Sequence, residues 1–268
     1  MVTLSIIDVS RFRGALRVPP VRRAFERLLG RIPPAPRSPA ARNASAASPR
    51  LPVWFEYCVP TYEQDGASCV GHAWANWLEL AVRRYQSREA LLYGEQIDGA
   101  RIWRRGRELF WRGDLSDGLY VHQGFHAMLD LGLLPPAARL RQVAPDWASV
   151  CAAMAAAPLV QAHRVHQGWQ APNRINGCLD HRYYPAADAG CHCTLRVGCL
   201  VQRERRFYAS LNSWGPGWGW NGLFVMDEAE DAEGLLPESL YTVDLPAGWA
   251  RHWIGWRRAI VRKGGVLS

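Results

Sequence analysis

Three short motifs, far apart along the chain, constrain the fold most strongly because their side chains have complementary chemistry. The first is Gly66-Ala67-Ser68-Cys69, the second is Cys191-His192-Cys193, and the third begins Asn212-Ser213-Trp214-Gly215. A thiol, an imidazole and an amide in this order are the side chains of a Cys-His-Asn hydrolase site. The chain is therefore expected to fold so that the cysteine meets a distant histidine and asparagine.

Cys69 is predicted to be a nucleophile at the start of a helix. Apolar residues recur at helical spacing from Val70 to Tyr85, and Gly66 and Ser68 stand where a tight turn and a cap belong. The helix N-terminus and an imidazolium at His192 are both expected to stabilise the thiolate. An inert cysteine buried at a helix start is the alternative interpretation.

His192 is predicted to be the catalytic base. Strand alternation places Cys191 and Cys193 on one face, toward the lobe interior, and His192 on the other, toward a cleft. Three consecutive strand residues do not converge on one tetrahedral ion, which argues against a zinc cluster here. Asn212 is expected to bond the far nitrogen of His192, and Trp214 to shield that bond from water.

Two further features concern ligands. An oxyanion hole needs two donors; the backbone N–H of Cys69 is one, and the side chain of Gln64 is the natural second.

His122, His126 and Asp130 share one face of a predicted helix. They could bind zinc, and the alternative interpretation is a solvated helix face. No metal or other cofactor is predicted.

The order of the predicted elements indicates an α+β protein with a helical lobe followed by a β-rich lobe. After the helix from Cys69, helical patterns occur at Ile97–Phe110, Val121–Leu131 and Asp146–Ala156. Strand patterns occur at Leu159–Val165, Cys193–Val201, Arg206–Leu211, Leu223–Met226 and Leu240–Val243. The helical lobe would thus supply the cysteine, and the β lobe would supply the histidine and asparagine.

The 268 residues and 49% hydrophobic content suffice for a sizeable core, but the net charge of +8 is local. Residues 1–50 hold ten arginines against Asp8 and Glu26, which accounts for the whole excess. Residues 33–50 have the Pro, Ala and Ser composition of a linker. We therefore expect a flexible segment over 1–50, with at most weak contact to anionic surfaces, and a catalytic domain over 51–268 with no specific nucleic-acid partner.

The seven cysteines are an odd number without the spacing of a disulfide framework. The N-terminal stretch lacks the pattern of a signal peptide, and no window approaches the ~18 apolar residues of a membrane span. Reduced thiols, a cytoplasmic location and a monomeric state are the resulting expectations.

The motifs resemble those of the papain-like cysteine peptidases. That family carries a cysteine after a glutamine-containing turn, a histidine in a strand and the run Asn-Ser-Trp-Gly-x-x-Trp-Gly-x-x-Gly, which matches 212–222 here. The run Val70-Gly71-His72-Ala73-Trp74 is more similar to the bacterial and phage branch. The resemblance covers about residues 51–243 and implies a two-lobed fold with an active-site cleft.

The resemblance also implies a function, a thiol-dependent peptidase, with an endopeptidase favoured, that forms an acyl-enzyme on polypeptide substrates. Cys69 would attack, His192 would act as base and then acid, Asn212 would orient it, and Gln64 would donate to the oxyanion. Gly66, Ser68 and Trp214 would line the substrate cleft. An acyltransferase or deamidase with the same site, and a catalytically silent binding module, are the alternatives.

Three departures from the family pattern stand out. Gln64 precedes Cys69 by five residues where the family usually has six, so either the loop is shorter or Glu63 holds the family position. Cys191 and Cys193 replace the Asp or Asn and the small residue that commonly flank the histidine. The long inhibitory propeptide of secreted relatives is replaced by the arginine-rich residues 1–50.

Overall fold

Within the part of the chain that the structure describes, three helices come before the first strand, as the apolar periodicity predicts. They are α1 (Cys69–Tyr85), α2 (Gly99–Trp111) and α3 (Val121–Asp130). The computed structural model describes residues 54, 62–85, 97–114, 117–165, 169, 190–202 and 204–249. The expected segment 1–50 and the boundary at residue 51 lie outside these ranges.

The described ranges also contain one six-stranded sheet. Its strands are β1 (Arg139–Gln142), β2 (Leu159–Arg164), β3 (Cys191–Gln202), β4 (Arg205–Leu211), β5 (Leu223–Asp227) and β6 (Tyr241–Asp244). The spatial order is β1-β6-β2-β3-β4-β5, and all of these neighbours pair antiparallel. Helix α4 (Trp147–Ala156) lies between β1 and β2 in the chain, and α5 (Glu228–Gly234) lies between β5 and β6. The α+β class predicted from the sequence is confirmed.

Helix α1 is held in the centre of the core by its tryptophans and by a close helix contact. Trp74 and Trp77 are fully buried, and their indole N–H groups donate to the carbonyls of Val121 (2.8 Å) and Pro158 (2.9 Å). Gly71 lets α1 approach α2, because a Cβ at this position would lie 2.0 Å from the carbonyl oxygen of Gly99. These contacts fix the position of the helix end that carries Cys69.

Two elements were not expected from the sequence. β1 has the sequence Arg-Leu-Arg-Gln, which lacks the apolar alternation of a strand, and it forms because its backbone pairs with β6 at the sheet edge. The acidic α5 follows directly on β5, and the side chain of Asp227 caps it by accepting from the N–H of Glu230. Both elements depend on neighbours or caps more than on periodicity.

Helix length and hydropathy also bear on membrane insertion. Within the described ranges, no helix combines the length and the apolar character needed to cross a bilayer.

Candidate active site

The turn before α1 presents Cys69 at the helix start. Gly66 has φ of +60°, a left-handed conformation that glycine adopts without strain. The hydroxyl of Ser68 donates to the carbonyl of Asp65 (2.8 Å), and the Ser68 carbonyl accepts from the N–H of His72 (3.1 Å) as the helix begins. Ser68 is completely buried and closes the turn through its own donor, so the expectation that it lines the substrate cleft is wrong, while Cys69 remains partly exposed.

His192 and Asn212 form a buried hydrogen-bonded pair. His192 Nε2 lies 2.6 Å from Asn212 Oδ1, and this oxygen also accepts the backbone N–H of Ser213 at 2.7 Å. The second bond identifies the atom facing His192 as the amide oxygen, so Nε2 of His192 must be the donor. In the neutral imidazole the proton therefore lies on Nε2, and Nδ1 is left free to accept a proton.

Aromatic rings enclose this pair. The Trp214 ring lies 4.5 Å from the His192 ring, centre to centre, and the Trp169 ring lies 6.2 Å away, edge to face. His192 is 4% exposed and Asn212 is 0% exposed. The hydrogen bond between them is therefore kept from water, where it would be weaker.

Cys69 meets the strand that carries His192. The backbone N–H of Cys193, the residue after His192, lies within hydrogen-bonding reach of the Cys69 thiol and favours its ionised form. The N–H groups of Val70 and of Cys69 itself act in the same direction. The fold thus brings together the N-terminus of α1 and the start of β3, which lie far apart in the chain.

Burial has the largest effect on the protonation of both groups. It raises the pKa of the Cys69 thiol above its usual value, against the smaller effect of the three N–H groups. It lowers the pKa of His192 from 6.5 to about 4, although the bond to Asn212 acts the other way. Burial therefore acts against the resting thiolate that the helix terminus and an imidazolium were expected to stabilise.

The two cysteines beside His192 have different environments. Cys193 is 1% exposed and packs in the core, as expected, whereas Cys191 is exposed. The expectation that both would face the lobe interior is wrong for Cys191. It is the first residue of β3, directly after Gly190 with φ of +110°, so it lies at the rim of the sheet.

Gln64 is tied to the segment that follows Asn212. Its backbone N–H donates to the Ser213 carbonyl (2.7 Å), and the Ser213 hydroxyl donates to Gln64 Oε1 (2.5 Å). Its Nε2 donates to the Gly66 carbonyl (2.9 Å). Glu63 is exposed, and its carboxyl group lies over Gly215, where an added Cβ would come within 3.2 Å of it. Of the two candidates, Gln64 is the one bonded on both sides to segments of the site.

Comparison with known proteins gives similarity in structure alone. No protein-family model matches the chain, and a search of curated proteins finds no match. Among solved structures, xylellain, a cysteine protease from Xylella fastidiosa, has a TM-score of 0.55 at 17% identity over 74% of this chain and 84% of its own. Procathepsin L 3 from the larval midgut of Tenebrio molitor has a TM-score of 0.54 at 15% identity, over 75% and 72%. Bromelain from Ananas comosus, solved with the E64 inhibitor, has a TM-score of 0.53 at 13% identity, over 74% and 98%.

The chain has a papain-like fold. Its helical part, with α1 at the centre, supplies Cys69, and its sheet supplies His192 from β3 and Asn212 from the residue after β4. The three side chains that were predicted to meet therefore come from opposite parts of the papain-like fold. Gln64 and Trp214 come from the two loops that join at the Glu63–Trp214 bridge.

The candidate zinc residues on α3 have other partners in this papain-like fold. The His122 ring stacks on Tyr120 at 5.8 Å, and Asp130 pairs with Arg105 at 2.5 Å. Within the described ranges, no group of three or more His, Cys, Asp or Glu side chains is arranged to hold a metal ion. The helical spacing of His122, His126 and Asp130 therefore does not bring them together as a metal site.

A buried polar network behind His192 was missed by sequence reasoning. It consists of Gln161, His163, Thr194, Arg196, Ser210 and Asp231, all at most 2% exposed. Polar residues inside otherwise apolar strand patterns, such as Arg196 within 193–201, were the signal that could have revealed it. Their partners lie on different strands and on α5, so no local pattern connects them.

Proposed function

We propose that this protein is a thiol-dependent peptidase that cleaves peptide bonds through an acyl-enzyme on Cys69. The observation that carries the proposal is the His192–Asn212 hydrogen bond of 2.6 Å, which leaves Nδ1 of His192 as an acceptor. The contact of the Cys69 thiol with the N–H of Cys193, next to His192, supports it. The papain-like fold is consistent with this chemistry, since the compared structures include cysteine proteases.

In the proposed reaction His192 first acts as a base. Nδ1 takes the thiol proton as the sulfur of Cys69 attacks the carbonyl carbon of the peptide. The charge of the resulting imidazolium is stabilised by Asn212 Oδ1. The backbone N–H of Cys69 and the amide of Gln64 donate to the oxyanion, and Gly66 and Trp214 line the cleft that holds the peptide.

The second half of the reaction returns the enzyme to its starting state. The imidazolium gives its proton to the leaving amine as the C–N bond breaks, and a thioester on Cys69 remains. His192 then takes a proton from water, whose oxygen attacks the thioester. The C–S bond then breaks, the free acid leaves, and the Cys69 thiolate takes the proton back from His192. An acyltransferase or deamidase would differ only in which group attacks the thioester or which amine departs.

The test is mass spectrometry of a peptide library incubated with the protein in H₂¹⁸O. A peptidase produces new termini with ¹⁸O in the new carboxyl group, and the Cys69→Ala variant produces none. Joined peptides without ¹⁸O would indicate acyl transfer, and loss of side-chain ammonia would indicate deamidation. Intact peptides, together with no thioester trapped at Cys69, would contradict the proposal and favour a silent binding module.

The remaining expectations on context belong to the same proposal. The enzyme is a monomer of the bacterial or phage branch, acts on polypeptides in the cytoplasm, and contacts anionic surfaces only weakly, through residues 1–50. Deleting 1–50 should leave the thermal midpoint of a 51–268 catalytic domain unchanged while weakening binding to anionic vesicles. A large loss of thermal stability would contradict this division.

A further inference from the structure

His163 lies directly beside His192 in the sheet. In the antiparallel pairing of β2 and β3, these two residues are opposite each other, so their side chains lie on the same face. His163 is completely buried. A second imidazole thus stands next to the proposed catalytic base.

The His163 ring is held by a buried ion pair. Its Nε2 lies 3.0 Å from Asp231 Oδ1, and the same oxygen accepts from Nη2 of Arg196 at 2.6 Å. Arg196 makes the pKa of Asp231 lower than usual in spite of burial, so the carboxylate is ionised and Nε2 of His163 must donate. The orientation and the tautomer of His163 are therefore set by Asp231.

The rest of the network links β2, β3 and β4, of which β3 carries His192 and β4 leads directly into Asn212. Gln161 on β2 donates to Thr194 on β3 (3.1 Å) and to Ser210 on β4 (2.9 Å), and its carbonyl oxygen accepts from Nε of Arg196 (2.6 Å). Thr194 and Ser210 each precede or follow a site residue by two positions, on the same face. The polar face is thus continuous with the His192–Asn212 pair.

One aromatic ring contacts both His163 and His192. The Trp169 ring lies 6.0 Å from the His163 ring and 6.2 Å from the His192 ring, and it is fully buried. It also contacts Trp214, which covers His192 from another side. A shift of the His163 ring would therefore move the rings that enclose His192.

We propose that His163, anchored by Asp231, is a positioning residue that holds the His192 ring and its Nε2–H tautomer in place for proton transfer. A buried set of Arg, Asp and His side chains costs desolvation that an apolar core of similar volume avoids, so stability alone does not account for it. This set adjoins His192 in the sheet, and displacement of the catalytic base slows proton transfer steeply. This inference rests on the proposed function.

The test compares three substitutions of His163. In His163→Gln the side-chain amide reaches the place of Nε2 and can still donate to Asp231, whereas in His163→Asn it is too short and in His163→Leu it is absent. We expect kcat to fall about 10- to 100-fold in the Leu and Asn variants with KM nearly unchanged, and the Gln variant to recover most of it. Thr242→Val, which removes a buried bond to the Pro158 carbonyl elsewhere in the sheet (3.0 Å), is the matched control for lost stability.

A second readout does not depend on peptide turnover. Nitrogen-15 NMR of the His192 ring should show a single Nε2–H tautomer in the wild type, the Gln variant and Thr242→Val, and a mixture in the Asn and Leu variants. If no peptide is cleaved by any form, this spectrum still tests the positioning role. Should the Leu variant fail to fold, the comparison of Gln with Asn decides. Wild-type tautomer and kcat in folded Asn or Leu variants, or a Gln variant as poor as Asn, would overturn the proposal.

Discussion

The two faces of β3 differ in chemistry although both are buried. One face of its first half, before the bulge that follows Arg196, carries Cys193 and Leu195, which pack into the main hydrophobic core together with α1. The opposite face carries His192, Thr194 and Arg196, each at most 4% exposed and each bonded to polar side chains of other elements. The strand thus separates an apolar core from a polar one.

This difference shows that burial serves two purposes in the same strand. The apolar face contributes stability through the area it removes from water, and it depends little on the orientation of any one group. The polar face contributes little net stability, because each buried charge and donor must first lose its water. It depends instead on fixed distances, and it contains His192, the residue of the candidate site that lies on a strand.

The largest expected effect comes from comparing one substitution on each face of β3. His192→Ala, on the polar face, should lower the kcat of the folded protein for peptide cleavage by about 10⁴-fold or more, because the base is lost. Leu195→Ala, on the apolar face, should lower the free energy of unfolding by roughly 2–5 kcal/mol while the folded fraction keeps its kcat. Steady-state kinetics and denaturant melts measure the two. Equal loss of kcat in both variants would contradict the separation.

The second prediction concerns the ion pair in the polar face. Asp231→Asn leaves the buried Arg196 charge without its partner and should lower the free energy of unfolding by roughly 3–5 kcal/mol. The double variant Asp231→Leu with Arg196→Met removes both charges and should be considerably more stable than the single one. Urea unfolding at pH 7 compares them. A double variant no better than Asp231→Asn would show that the pair itself stabilises the fold.

The third prediction concerns Gln64, the proposed oxyanion donor, which is bonded to the segment that follows Asn212. Gln64 is bound to Ser213, which directly follows Asn212, so its amide has a defined position. Gln64→Ala should lower kcat by about 10²- to 10³-fold, the loss expected for one oxyanion donor, and Glu63→Ala should have little effect. The opposite ranking, with Glu63→Gln raising activity, would assign the oxyanion position to Glu63.

The smallest expected effect is a pH dependence of stability. The pKa of His192 is about 4 in the folded protein and 6.5 ordinarily, so the unfolded chain takes up this proton first as the pH falls. The His192 contribution is complete above pH 6.5 and is lost between pH 6.5 and 4, by at most about 1.4 kcal/mol per pH unit. The difference between wild type and His192→Gln in urea melts isolates this slope from that of other groups. If the free energies of unfolding of the two proteins changed with pH in parallel, burial would not be lowering the pKa of His192.

Much of the element order was predictable because it rests on local periodicity. The helix after Cys69 begins at the predicted residue, and the strand patterns at 159–165 and 206–211 differ from β2 and β4 by one residue at an end. β1 was not predictable, since its residues are mostly polar and its only reason to be extended is the edge of β6. α5 was missed because it has a good cap and few apolar residues.

For the site, the sequence by itself determined which residue types are present and on which kind of element each would lie. Cys69 at a helix start, His192 in a strand and Asn212 after the next strand all follow from local pattern and from the resemblance. The protonation states did not follow, because desolvation is set by atoms from every part of the fold, and here it exceeds the helix-terminus effect on Cys69. The polar network of His163, Arg196 and Asp231 likewise existed only as scattered polar residues until the sheet and α5 placed them within hydrogen-bonding distance. Hydrogen bonds and desolvation act over a few ångströms in space, and in a sheet those neighbours come from distant parts of the chain.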